Sequence, residues 1–226
     1  MHEDNLWDKN YISDKSIETM VTIKKVIAEM NILDDEFKDI FSMDVGVSEK
    51  YTLFEHTMMV LKQFDRYFAN SALPDGTTEN FFRYLLVLHD LGKPIAAKKG
   101  DVSLQHKETL KLVVPILKKV KFTDFEINLA KILLSCDPLG RYLRYGELDN
   151  GMRIIKKMTN LSGLSKKAFF SILLIYFMCD AGAYTSDAGG VPSLDHVFSF
   201  DHENRELMFS EESQTKMNKI IGIVFN

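Results

Sequence analysis

The chain has 226 residues, 46% of them hydrophobic and 27% charged, with a formal net charge of -4. That length and balance admit one substantial core and argue against a disordered or fibrous chain. The acidic balance, with an isoelectric point near 5.9, leaves no general electrostatic footprint for DNA or RNA. Cys136 and Cys179 stand in apolar surroundings at no metal or redox spacing and read as reduced core residues. The polar, acidic N-terminus has neither the basic start nor the apolar stretch of a secretion signal. The longest apolar run, Ala168 to Cys179, is too short to span a bilayer. A cytoplasmic location without a membrane partner is expected.

Residues 1–15 read as a polar N-terminal segment and 16–226 as one helical domain with its core at about 51–182. Ser16 to Met30 follows helical spacing through Ile17, Met20, Val21 and Ala28. Asp34 suits the N-cap of a shorter helix whose inner stripe is Phe37, Ile40 and Phe41, and a loop follows around 45–50. Thr52-Leu-Phe-Glu55 forms a capping box that predicts a helix to about Tyr67, with His56 facing inward beside Met59, Val60 and Gln63. After the loop SALPDGTT, Thr77 or Thr78 opens a helix into FFRYLLVLHDLGKP, residues 81–94. Its apolar side chains leave almost no polar face, so it must be buried nearly all round. Gly92 is expected to close it in the left-handed conformation, with Pro94 barring continuation.

The Lys-rich stretch 95–102 reads as a mobile loop, and Ser103 to Val120 as a helix kinked or split at Pro115. Thr123-Asp-Phe-Glu126 is a second capping box, and Cys136-Asp-Pro138 a break. Residues 139–163 set Arg141, Arg144, Arg153, Lys156 and Lys157 beside Tyr142 and Tyr145, with Asp149-Asn150-Gly151 as a turn. Ser165 opens the most apolar helix, which runs to Asp180 and Gly182. A Gly-rich loop, a short extended piece at Val197 to Phe200 and an amphipathic helix over 213–224 complete the chain. No alternation is sustained enough to make a sheet, so the expected fold class is all-α.

Three buried helices thus begin or end with a potential ligand: His56, the pair His89 and Asp90, and Asp180. A buried carboxylate beside an imidazole is costly unless it is hydrogen-bonded, paired or bound to a metal. Two imidazoles and two carboxylates can surround an octahedral or five-coordinate ion with positions left for water. That set suits Mn²⁺, Fe²⁺, Ni²⁺, Co²⁺ or Mg²⁺ rather than structural zinc. The competing reading makes each a hydrogen-bonded core residue, and makes Asp137, Arg141 and Arg144 a solvated loop.

The order His, His-Asp, Asp on helices, with HDLGKP as its strongest piece, resembles the HD-domain metal-dependent phosphohydrolases from about Tyr51 to Gly182. HDxGKP followed by a His is similar to the HD portion attached to tRNA nucleotidyltransferases. The resemblance implies metal ligation by His56, His89, Asp90 and Asp180, and a contact between Lys93 and the substrate phosphate. His106, in LQHKE, matches a further family His that meets a second metal or the phosphate. Where di-metal members carry another His, ILLSCDPLG supplies Ser135, Cys136 and Asp137, so one divalent ion per chain is expected. The Gly-Tyr-Pro signature of the cyclic-dinucleotide subgroup is missing, and Lys93 stands where monophosphate-cleaving nucleotidases often have Glu.

The function this implies is hydrolysis of a phosphoester in a nucleotide or related phosphorylated small molecule by a metal-activated water. Asp90 would orient the water, Lys93 offset phosphoryl charge and His106 protonate the leaving oxygen, while Arg141 and Arg144 touch the substrate. RNA ends fall within that substrate class. The alternatives are an inactive metal- or nucleotide-binding module acting through a partner, a di-iron oxygenase of the same superfamily, and a purely structural helical protein.

Overall fold

The computed structural model describes residues 21–26, 28, 39–45 and 50–225. Residues 21–26 are helical, with Ile23 and Val26 buried, inside the span expected to be a helix. The N-terminal segment 1–15, the Asp34 cap and Phe37 lie outside the described residues. Ile40 and Phe41 are buried, but in a 3-10 turn, Ile40–Ser42.

Helix α1, Leu53–Tyr67, opens with both halves of its capping box: Thr52 Oγ1 accepts from the Glu55 amide, and Glu55 accepts from the Thr52 amide at 2.8 Å. Thr78 caps α2, Glu79–Leu88. There follow α3, Lys93–Lys98, and α4, Gln105–Lys119. Thr123 caps α5, Asp124–Leu133, through the second capping box. Next come α6, Pro138–Tyr145, and α7, Leu148–Ser162, each closed by a left-handed glycine, Gly146 and Gly163. Ser165 caps α8, Lys166–Gly182. The antiparallel strands β1, Phe198–Asp201, and β2, Glu206–Phe209, precede α9, Glu211–Phe225.

Helices α1, α2 and α8 pack on one another and form the centre of the core. Phe64, Phe81, Phe82, Phe169 and Phe170 are fully buried there, with the Phe64 and Phe82 rings stacked at 5.7 Å. Burying each such side chain stabilises the fold by about 1.5–3 kcal/mol. From Phe81 to Leu88 helix α2 shows water no face, as its composition requires. Arg83 is tolerated in it because Asp65 and Glu79 take its guanidinium at 2.6 and 2.8 Å.

The stretch 95–102 is not a loop throughout. Pro94 stands in the first turn of α3, where a missing N–H costs nothing and a fixed φ favours the helix. Gly92 is right-handed, at φ -82°, and its role is space: a Cβ there would collide with the α4 backbone at Gln105 and Thr109. Its amide donates to Thr109 Oγ1 at 3.0 Å. Gly92→Ala is therefore expected to destabilise the chain by about 2–3 kcal/mol, read as a lower denaturation midpoint at unchanged slope.

Helix α4 runs through Pro115 without splitting. Pro115 sits on its exposed face, so the carbonyl it displaces can turn to water. Asp149-Asn150-Gly151 is the first turn of α7 instead of a free turn, and Gly151 lies close under Pro138 of α6. The described residues are mostly helical, as the all-α expectation has it, and the short extended piece expected at Val197 to Phe200 is one strand of a two-stranded hairpin. Register pairs Phe198 with Phe209 and Phe200 with Leu207. The rings of Phe198 and Phe209 lie 6.4 and 6.3 Å from Phe177, which seats the hairpin on α8.

The loop after α8 is tied down by the buried Asp187 carboxylate, which accepts from Arg66 at 2.8 Å and Gln63 at 3.1 Å and pairs with His202 at 3.2 Å. Burial, then Asp187, pushes the nearby Tyr67 hydroxyl up to about 12. Among the described residues no single helix is long and apolar enough to cross a membrane; α7 and α8 reach that length only across a 113° bend.

Candidate metal centre

Each of the three central helices delivers a ligand to one point. His56 projects from the first turn of α1, fully buried. His89 is the C-cap residue of α2, and Asp90 follows in the tight turn before α3. Asp180 lies in the last turn of α8. His56 Nε2 and His89 Nε2 stand 3.3 Å apart. Asp90 Oδ2 is 3.3 Å from the first and 3.5 Å from the second, and Asp180 Oδ1 is 3.4 and 3.3 Å from them. All four ligand atoms lie within 4.8 Å of one another.

These separations fit a shared ion. Two atoms each about 2.1 Å from a common centre are about 3.0 Å apart at a right angle and about 3.4 Å at the tetrahedral angle. Asp180 Oδ1 is buried without a well-formed hydrogen bond, a vacancy in its bonding that protein atoms do not fill. His89 Nδ1 lies 2.6 Å from the Leu86 carbonyl, so it donates there and Nε2 can offer its lone pair to the centre. His56 Nδ1 is buried without a partner. The group could hold a metal ion.

Without one, the centre's charges compensate each other. Burial disfavours the charged form of His89, but Asp90 and then Asp180 outweigh it and raise the imidazole to about 9. Burial would push the Asp90 carboxyl up, yet Lys93 first and His89 second hold it well below the usual carboxylate range. Asp180 is lowered likewise, His89 being the chief cause against burial. Lys93 Nζ donates to Asp90 Oδ2 at 3.0 Å and to the Tyr184 hydroxyl at 2.8 Å. Its ammonium loses stability to burial but gains more from Asp90, so it stays charged far above the usual lysine range.

Tyr184 is the residue that sequence reasoning missed. Its ring stacks on His56 at 4.7 Å and its hydroxyl lies 3.4 Å from His56 Nε2. It lies in the turn just past the end of α8, and the sequence offers no signal beyond its nearness to Asp180. The other expected residues are less central. His106 Nδ1 pairs with the Leu134 carbonyl at 3.1 Å. The proton-donor role expected of His106 has no direct contact with the four ligands behind it. Arg141 is exposed and pairs with Glu147 at 3.2 Å. Arg144 pairs with Asp137 at 3.1 Å and borders a recess beside the centre.

That recess, about 400 Å³ counting its open mouth, lies between α6, α8 and the segment leading into β1, with Asp180 and Tyr184 in its wall. It gives the centre a path to solvent. The chain matches no family model, no curated protein and no solved structure.

Proposed function

We propose that this chain is a metal-dependent phosphohydrolase of the HD-domain type, acting on a phosphoester in a nucleotide or related phosphorylated small molecule. The observation that carries the reading is a quartet of two buried imidazoles and two partly buried carboxylates, with a charged lysine hydrogen-bonded to one of them. His56, His89, Asp90 and Asp180 would hold a divalent ion, and that ion would supply Lewis acidity and a lowered pKa for water in the site. The donor set favours Mn²⁺, Fe²⁺, Co²⁺, Ni²⁺ or Mg²⁺, one per chain. Lys93, pinned between Asp90 and Tyr184, keeps a fixed positive charge beside the centre and offsets charge that builds on phosphoryl oxygens. Asp90 Oδ2 faces both the histidines and Lys93, which fixes the orientation of a carboxylate that would both ligate the ion and orient the attacking water.

The test is removal of metal with a chelator, reconstitution with each ion separately, and a screen of phosphomonoesters and phosphodiesters. Turnover that vanishes with the chelator and returns with one or more of these ions is expected. Stoichiometric metal uptake with no turnover on any phosphoester would leave a binding module instead. Lys93→Ala should lower kcat by about 10²–10³-fold with metal stoichiometry retained, as removal of one charge-stabilising donor does elsewhere. An unchanged kcat would remove Lys93 from the chemistry.

A further inference from the structure

The recess beside the centre has a mostly apolar wall. Its apolar wall is Leu143 of α6, Phe177 and Ala181 of α8, and Leu194 and Val197 of the segment before β1. Only Arg144, Asp180 and Tyr184 in the lining carry a hydrogen-bonding side chain. The Tyr184 hydroxyl accepts from Lys93 and Arg144 donates to Asp137 and to the Gly140 carbonyl, while Asp180 Oδ1, which has no well-formed hydrogen bond of its own, faces the two histidines where the ion would sit. The backbone is also engaged. The Leu194 amide donates to the Tyr184 carbonyl at 2.9 Å, the Val197 amide to the Leu194 carbonyl at 2.9 Å, and the Gly140 amide to Asp137 at 2.8 Å. The Val197 carbonyl accepts from Ser210 at 2.9 Å.

A sugar placed against this wall would lose water from its hydroxyls and find few replacements, which is unfavourable for each group left unpaired. An aryl or branched alkyl group would gain from the same burial. We infer that the recess receives the alcohol portion of the substrate, and that this portion is compact and apolar, an aryl or alkyl group instead of a polyhydroxylated sugar. The inference rests on the phosphohydrolase reading for what sits at Asp180, and within the proposed substrate class it sets nucleotides, whose alcohol is a sugar, behind phosphoesters of apolar alcohols. An apolar pocket disfavours an added hydroxyl by no more than about 10²-fold, so the expected preference is modest.

Three non-hydrolysable probes separate the possibilities by calorimetry on the metal-loaded full chain: phenylphosphonate, methylphosphonate and 3,4-dihydroxybutylphosphonate. Phenylphosphonate is expected to bind at least tenfold more tightly than either of the others. Val197→Asp, and separately Leu143→Asn, should each lower phenylphosphonate affinity at least tenfold, with metal content and melting measured alongside to show an intact centre. If either variant fails to fold, the wild-type ratio decides by itself. Equal affinities for the three probes would overturn the recess assignment alone. Failure of all three to bind would overturn it together with the phosphohydrolase reading on which it stands.

Discussion

Asp90→Asn is expected to lower metal affinity by at least about 10²-fold while leaving helix content intact, because a change of one oxygen to nitrogen removes a ligand charge at constant shape. Asp90 Oδ2 is the atom that three cationic or potentially cationic groups share: His56 at 3.3 Å, His89 at 3.5 Å and Lys93 at 3.0 Å. Without its charge the ammonium of Lys93 keeps only the Tyr184 hydroxyl and the more distant Asp180 as compensation. Breaking a buried pair by removing one partner typically costs about 3–5 kcal/mol. The small residual exposure of Asp90 and Lys93, 15% and 17%, sets the expected loss for the metal-free variant near the lower end of that range. Metal titration checks the first effect and denaturant unfolding of the stripped protein the second. A variant that still takes up one ion with wild-type affinity would remove Asp90 from the ligand set.

The double consequence explains why the centre was visible before any coordinates. An apolar run such as Phe81 to Leu88 has no solvent-facing side, so His89 and Asp90 at its end had to be buried or nearly so, and burial demanded partners. The capping boxes at Thr52 and Thr123 were legible for a related reason: they depend on residues three apart, within reach of local sequence. Likewise Ser165 marked the start of the helix that carries Asp180.

What stayed hidden depends on contacts between distant segments. The sequence marks Gly92 as a left-handed stop because nothing local reveals that α4 passes over it. Asp149 to Gly151 has turn composition, yet packing against α6 turns it into helix. The two strands are four residues each, too short for alternation to register, and they form because Phe198, Phe209 and Phe177 cluster on α8. Arg141 and Arg144 share one helix and one charge, and only the fold shows that Arg144 borders the recess while Arg141 turns to Glu147. Tyr184 escaped because a tyrosine two residues past a helix end has many ordinary uses.

Metal affinity should rise about tenfold per pH unit up to about pH 9 and flatten above it, because the ion must displace the proton that His89 holds. The same proton stabilises the metal-free fold. Folding raises His89 from 6.5 to about 9, so the folded state binds the proton more tightly than the unfolded chain. Its contribution is therefore complete below pH 6.5, declines between 6.5 and about 9, and is absent above that. A shift of this size is worth about 3 kcal/mol. Asp90 and Asp180 act in the opposite sense: their lowered pKa values stabilise the fold above the usual carboxylate value of 3.8 and cease to do so as pH falls below it. Stripped protein should accordingly be most stable between these limits, at mildly acidic pH, and should lose stability toward pH 9. Metal-loaded protein should lose that slope over the same interval, since neither it nor the unfolded chain then holds the His89 proton and the gain in metal affinity offsets the lost proton contribution. Calorimetric titration at pH 7.5 in buffers of different ionisation enthalpy reads the exchange directly, and release of about one proton per ion is expected. A pH-independent affinity with no proton released would mean that His89 is not the group the ion displaces.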